Sequence, residues 1–279
     1  MPFAPVIPIS GLGGWKFLER TQERQQEVFN RSPDIQRNIE YFRENIENVT
    51  TIKELVGDRR LLTVALGAFG LSDEINKQGF VRKILEEGLF DERSFANRLS
   101  NSKYIAFAEA FPFKDSGFFP TSETIDDVVD KYLTISFEES VGEVDNTMRL
   151  ALNFKREMKL LADQDLSRDT GWFRAMGSKP IRAVLEAAFN LPASFSQIDL
   201  DQQLVTMVDK AKQYFGGDSI KVFSDVDKID EAIRRFQLRE QIKNGPDLTT
   251  PGYAALVLLG GTGNSFGAAG IFNLLMSNN

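Results

Sequence analysis

The residues with chemistry to offer are few in kind. There is no histidine and no cysteine among the 279 residues, which excludes thiol catalysis, Ser-His-Asp hydrolysis, imidazole proton transfer and ordinary zinc sites. Disulfides are impossible, so cysteine pairing gives no redox compartment. Carboxylates, Lys, Tyr and hydroxyls remain. Two adjacent carboxylate pairs stand out, Glu138 with Glu139 and Asp126 with Asp127. A glycosidase needs two carboxyl groups facing each other across a cleft. Neighbours on a helix point about 100° apart, so these pairs do not face one another and are expected to solubilise helices. No sequence feature selects a particular Glu. Asp163, Asp165 and Ser167 alternate like the start of a calcium loop, but Arg168 stands where the turn needs Gly and Arg174 where it needs Glu. A solvated loop between helices is the expectation, and no metal site is assigned.

The other candidate is the stretch LVLLGGTGNSFGAAG, residues 256–270. A dinucleotide fingerprint needs a strand, G-x-G-x-x-G and a helix within a βαβ unit. Gly261, Gly263 and Gly267 miss that spacing by one residue, and only 12 residues follow Gly267. A phosphate loop needs a Lys, and the last Lys of the chain is Lys243. No nucleotide site and no cofactor is assigned. The stretch 250–261 reads instead as an apolar helix or extended segment closed by glycines. Residues 264–279 read as a short helix capped by Asn264 or Ser265. Val257, Leu258, Leu259, Ile271, Phe272, Leu274, Leu275 and Met276 would stand out from a lone tail. Burying eight such side chains is worth about 10 kcal/mol or more before entropy. They are the candidate contacts with a protein partner or with the chain's own core, and the N-terminal FAPVIPISGLGGW poses the same problem.

These groups must be positioned by helices. Hydrophobic residues make up 42% of the chain, enough for a large core. Ile35, Ile39, Phe42 and Ile46 recur at helical spacing behind Ser32-Pro33, a cap followed by proline in the first turn. Residues 122–163 read as one or two long helices, with Val128, Tyr132, Leu150, Phe154 and Leu161 in the apolar rows and Gly142 as the candidate break. In Asp58-Arg59-Arg60 the aspartate suits a helix N-cap, as Ser178 does ahead of Pro180. Pro2, Pro5 and Pro8 forbid a helix at the start, which also lacks the pattern of a secretory signal peptide. Apolar runs are too short for a membrane helix. The net charge of −7, with acids alternating with bases in EAIRRFQLREQIK (231–243), does not suit a nucleic-acid binder.

Self-comparison is more informative. VGDRRLLTVALGAFGLS (56–72) aligns without gaps on MGSKPIRAVLEAAFNLP (176–192). Gly57 meets Gly177, Leu61 meets Ile181, Val64 meets Val184, and Ala68, Phe69 and Leu71 meet Ala188, Phe189 and Leu191. The match runs on through Ile75 over Phe195, Phe80 over Leu200 and Ile84 over Leu204. With shifts in spacing, Arg37 and Phe42 correspond to Arg149 and Phe154, and Phe111 to Phe236. The expectation is an all-α protein of two tandem related helical modules packed as an irregular bundle, with little or no β-sheet. Its parts are residues 1–28, an N-terminal segment and first helix; 29–113, module 1; 114–140, a connecting loop and helix; 141–243, module 2; and 244–279, the Gly-rich apolar tail.

These blocks, and RLLTVALGAFGL (60–71) above all, resemble a bacterial family of unknown function whose members occur in flagellar gene clusters, some with several copies of the region. The resemblance spans most of residues 29–236 and neither end. It implies a flagellum-associated role without assigning an activity or functional residues. The second copy departs at LPASFSQIDLDQQL (191–204), where polar residues replace GFVRKIL (79–85), so the modules need not bind alike. The functional expectation is a non-catalytic accessory or assembly factor of the bacterial flagellum, acting by protein–protein contact with a flagellar component or itself. It would be located in the flagellum or cytoplasm, with no nucleic acid and no membrane insertion. The alternatives are a helical cell-wall hydrolase working through carboxylates and a cytoplasmic export chaperone.

Overall fold

Helix starts in this chain are set by short polar side chains. Thr51 accepts a hydrogen bond from the backbone N–H of Glu54, whose carboxylate bonds back to the backbone of Thr51, a reciprocal capping box. Asp58 accepts from the backbone N–H groups of Arg60 and Leu61, the capping role its position suggested. Ser32 behaves differently: its hydroxyl turns back to the carbonyl of Phe29 at 2.6 Å, and Pro33 starts the helix without a side-chain cap. The computed structural model describes residues 3–91, 93–99, 101–113 and 117–244. Among them the helices are α1 (Gly11–Asn30), α2 (Pro33–Asn45), α3 (Ile52–Gly57), α4 (Arg59–Gly67), α5 (Gln78–Glu87), α6 (Phe95–Arg98), α7 (Ser102–Ala110), α8 (Ser122–Val144), α9 (Asn146–Ala162), α10 (Arg168–Gly177), α11 (Lys179–Ala188), α12 (Leu200–Phe215) and α13 (Val226–Asn244). Short 3-10 turns cover Ile46–Asn48, Ser72–Glu74, Ala193–Gln197 and Ile220–Ser224. No β-sheet forms among the described residues, and the protein is all-α.

The long run 122–163 is two helices, but the break is not at Gly142. It falls at Asp145, whose extended backbone ends α8 and whose carboxylate accepts from the N–H groups of Thr147 and Met148 at 2.8 and 3.3 Å. Gly142 serves a close approach instead. A Cβ there would lie 2.4 Å from Cδ of Arg149.

The described chain clusters into two compact units, each assembled from separate stretches. The first holds residues 3–6, 21–153 and 173–182, and the second holds 7–20, 154–172 and 183–244. In the first, α4 packs against α2, α3 and α8. Six of its nine residues are buried, including Leu62, Val64 and Ala65 with no exposed surface, so it is the unit's central helix. Gly67 admits α8, because a Cβ there would come within 2.8 Å of Cδ2 of Tyr132. Rings line the same core: Phe69 meets Phe107 at 5.9 Å, and Phe111 meets Phe107 and Phe118 at 5.3 and 5.5 Å. The second unit has its own aromatic chain, Phe154 to Phe223 to Phe215 to Phe189 at 5.9, 5.1 and 5.8 Å. Trp172 donates its indole N–H to the carbonyl of Asp218 at 2.9 Å.

The repeated block has a specific local structure in both copies. After α4, Gly70 is left-handed at φ +63°, Leu71 N–H bonds the carbonyl of Leu66 at 3.0 Å, and Gly70 N–H bonds Gly67 at 3.1 Å. After α11, Asn190 is left-handed at φ +55°, Leu191 N–H bonds Glu186 at 2.8 Å, and Asn190 N–H bonds Ala187 at 3.0 Å. The repeated Ala-Phe-x-Leu is therefore a Schellman helix stop, and x is Gly or Asn because those residues tolerate that backbone best. A cation meets each helix end. Lys103 donates to the carbonyl of Gly70 at 2.9 Å, and Arg235 donates through Nε to the carbonyl of Ala188 at 3.0 Å. Beyond the stop the ungapped correspondence weakens. Phe80 stacks edge-on with Phe95 and Tyr104 at 5.2 and 5.3 Å, whereas Leu200 is 51% exposed.

Candidate functional site

Of the carboxylates weighed in the sequence, Glu139 holds the most unusual position. It lies on α8 in the series Tyr132, Ser136, Glu139, spaced by four and three residues on one helical face. The turn Ser72–Glu74 brings the hydroxyl of Ser72 to both carboxylate oxygens, at 3.0 and 3.3 Å. Burial pushes the Glu139 carboxyl above the ordinary carboxylate range, and the nearby charge of Asp73 adds to the push. The Ser72 hydroxyl and the positive charges of Lys103 and Arg149 oppose it without cancelling it. Beside it, Tyr132 accepts from the side-chain amide of Asn38 on α2 at 3.2 Å, and burial holds its phenol above the usual value. The cluster thus contains a carboxyl that keeps its proton longer than usual, a hydroxyl, a phenol and two cations, the kind of grouping from which functional sites are built. Its partners tie α8 to α2 and to the stop after α4.

Glu138 is 6% exposed and Glu139 is half-buried, so neither is the solvated, helix-solubilising acid expected of this pair. Asp126 pairs with Arg43, and Asp127 with Lys131 at 2.6 Å, both exposed. Asp163 pairs with Lys159 at 3.1 Å and Asp165 with Lys221 at 3.3 Å, in the solvated setting expected for that loop. An open groove of 630 Å³ runs past Asn45, Asn48, Thr51, Lys53, Glu54 and Asp58. Both of its carboxylates are engaged as helix caps, and Asp58 also accepts from the hydroxyl of Tyr41 at 2.7 Å. In the second unit Lys155 bridges Asp230 and Glu19 at 2.9 and 3.1 Å. Burial would lower its pKa, but the two carboxylates outweigh that and hold it above the ordinary lysine value.

The candidate tail contacts Val257, Leu258, Leu259, Ile271, Phe272, Leu274, Leu275 and Met276 lie outside the described residues, as do the tail glycines. The N-terminal segment is described from residue 3. Its first residues dock on the first unit, Phe3 against Phe29 and Phe137 at 5.5 and 6.4 Å. Sequence reasoning weighed Glu139 only as a neighbour of Glu138 and did not select between them. The available signal was the spacing of Tyr132, Ser136 and Glu139 on one face. The Ser72 contact, 67 residues away, had no local signature.

The family described as "Protein of unknown function (DUF1217)" matches residues 68–229, more than half of the chain. The protein belongs to that family. The crystal structure of Protein AGR_C_984 from Agrobacterium tumefaciens is similar at 27% sequence identity and a TM-score of 0.67, covering 88% of this chain and 100% of that one. No curated protein matches the chain.

Proposed function

We propose that this protein is a flagellum-associated factor that acts by protein–protein contact, as a structural or assembly accessory component. The flagellar part is supported by the likeness of the 60–71 block and its second copy to a family encoded in flagellar gene clusters. The contact part is carried by one observation: Ile198, Leu200 and Val205, on the stretch that opens α12, are 40%, 51% and 60% exposed. At about half exposure each such side chain forgoes about 1 kcal/mol of burial, which a partner covering it would recover. Cells of the source bacterium with and without a working flagellar export apparatus would be fractionated. The expected result is protein in the flagellar or export-dependent fraction only when the apparatus works. An identical cytoplasmic distribution in both strains, with no axial subunit co-purifying, refutes the reading. Co-purification with an axial subunit from the cytoplasm identifies an export chaperone instead.

The raised carboxyl of Glu139 favours one second reading, a cell-wall hydrolase. Such an enzyme needs a second carboxyl across a cleft, and the carboxylate near Glu139 is Asp73, next in the chain to the Ser72 that bonds it. Peptidoglycan zymography of the wild type and Glu139→Gln decides it: clearing that disappears in the variant establishes the hydrolase.

A further inference from the structure

The first unit carries a peptide site that is already filled. Thr21, Gln25 and Phe29 recur every fourth residue and form one stripe of α1. Gln25 is 9% exposed, and its amide nitrogen is fixed by Thr21 Oγ1 at 2.8 Å. The amide then faces a single residue of an extended segment. Gln25 Oε1 accepts from the backbone N–H of Val6 at 2.7 Å, and Gln25 Nε2 donates to the carbonyl of Val6 at 3.1 Å. A donor and an acceptor exchanged with one residue is the hydrogen-bond pattern of a rung of antiparallel sheet, supplied here by a side chain. The pattern also fixes the amide's orientation, since a backbone N–H must meet oxygen. One helical turn further along α1, Phe29 stands 5.7 Å from Phe137 of α8, both buried; the ring of Phe3 meets Phe29 edge-on and Phe137 at a tilt. Phe3, 5.5 Å from Phe29, is the ring anchor, and Val6 is the backbone anchor. Between them Pro5 is buried and Ala4 exposed, and the Val6 side chain is 58% exposed. The site therefore reads an aromatic ring and, three residues later, a main chain, and it ignores the side chain at the second anchor.

We propose that this stripe of α1 with Phe137 is a docking groove for an extended protein segment. The segment carries a phenylalanine three residues before a residue whose backbone N–H and C=O are both free. Residues 3–6 occupy the groove in cis as an autoinhibitory contact. Recognition by main-chain hydrogen bonds with one side-chain pocket is how strand-like peptides are bound in general. A four-residue cis segment held by the Phe3 ring, the buried Pro5 and one amide pair is short enough for a partner to displace. The tether presents it at an effective concentration in the millimolar range, so the groove opens only to a partner of greater affinity or abundance.

The test vacates the groove without touching its walls. Phe3→Ala with Val6→Pro removes the ring and the N–H donor. The probe is a fluorescein-labelled peptide of residues 2–9, PFAPVIPI, followed by fluorescence anisotropy on the full chain. The vacated variant is expected to bind it at least about tenfold more tightly than the wild type, a gain equivalent to 1.4 kcal/mol. Gln25→Leu in that background, or N-methylation of the peptide's valine, should each lose about tenfold again. If the double variant does not fold by circular dichroism, Phe3→Ala alone is used, which keeps the amide rung. Equal binding by wild type and vacated protein, indifference to N-methylation, or wild-type dimerisation through residues 3–6 on concentration would each overturn the proposal.

Discussion

Gly70 and Asn190 occupy the same place in the two copies, at φ +63° and +55°. An alanine in that conformation is strained by about 1–2 kcal/mol. Replacing Gly also stiffens the unfolded chain, which returns about 0.4–1 kcal/mol. At Gly70 a second cost appears, because a Cβ would sit 2.8 Å from Nζ of Lys103. The ammonium must then move, and its 2.9 Å bond to the carbonyl of Gly70 goes with it. A hydrogen bond to a charged group is worth about 1.5–3 kcal/mol, toward the lower end here because Lys103 is half-exposed. Gly70→Ala should therefore destabilise by about 2–3 kcal/mol. Asn190→Ala should cost only about 1 kcal/mol, and Asn190→Gly should gain about 0.5 kcal/mol. Urea unfolding followed by circular dichroism and tryptophan fluorescence gives these differences. Thermal scans should show about 2 °C per kcal/mol for a chain of this length. In a Lys103→Met background the cost of Gly70→Ala should fall to about 1 kcal/mol, the backbone strain alone. If that cost is unchanged, or if Gly70→Ala is no worse than Asn190→Ala, the Lys103 contact contributes nothing to this helix stop.

Three further outcomes follow from particular contacts. The Glu139 carboxyl is raised in the folded protein, so its contribution is fully present below the unfolded carboxylate pKa and is lost as pH rises through the folded value. Glu139→Gln should therefore gain stability relative to wild type between the acid range and neutrality, read as the difference in unfolding free energy across pH; a flat difference rejects the buried-charge account. Gly171→Ala would place a Cβ 2.7 Å from two carbons of Ile220, a residue 2% exposed and unable to swing away. It should cost about 1–3 kcal/mol by overpacking and be partly rescued by Ile220→Val, as thermal denaturation of the single and double variants will show. Lys155→Met leaves Glu19 and Asp230 facing each other without their shared cation. With all three groups about a third exposed, the loss should be about 1 kcal/mol, diminished in high salt, and measurable by denaturation at two ionic strengths.

Much of the architecture was legible because it is written locally. Apolar residues at helical spacing, caps such as Asp58, and the scarcity of alternating patterns suffice for an all-α chain, since each acts within a turn or two of itself. The repetition of Ala-Phe-x-Leu was visible for the same reason: a helix stop needs a left-handed residue at one fixed place, and only Gly and Asn suit it well. The absence of histidine and cysteine excluded whole chemistries before any fold was known. What the chain's order does not contain is which distant groups meet. Gly142 looked like a break, yet Asp145 ends α8, because the glycine's use is to admit the Arg149 side chain. Glu139 looked like any surface acid, and only packing against Ser72, 67 residues away, removed it from water and raised its carboxyl. The apolar N-terminal segment could have been read as free or buried. The amide of Gln25, 19 residues on, decided that its backbone is held. Desolvation and main-chain recognition both depend on what lies across the gap between elements, and only the tertiary structure sets that.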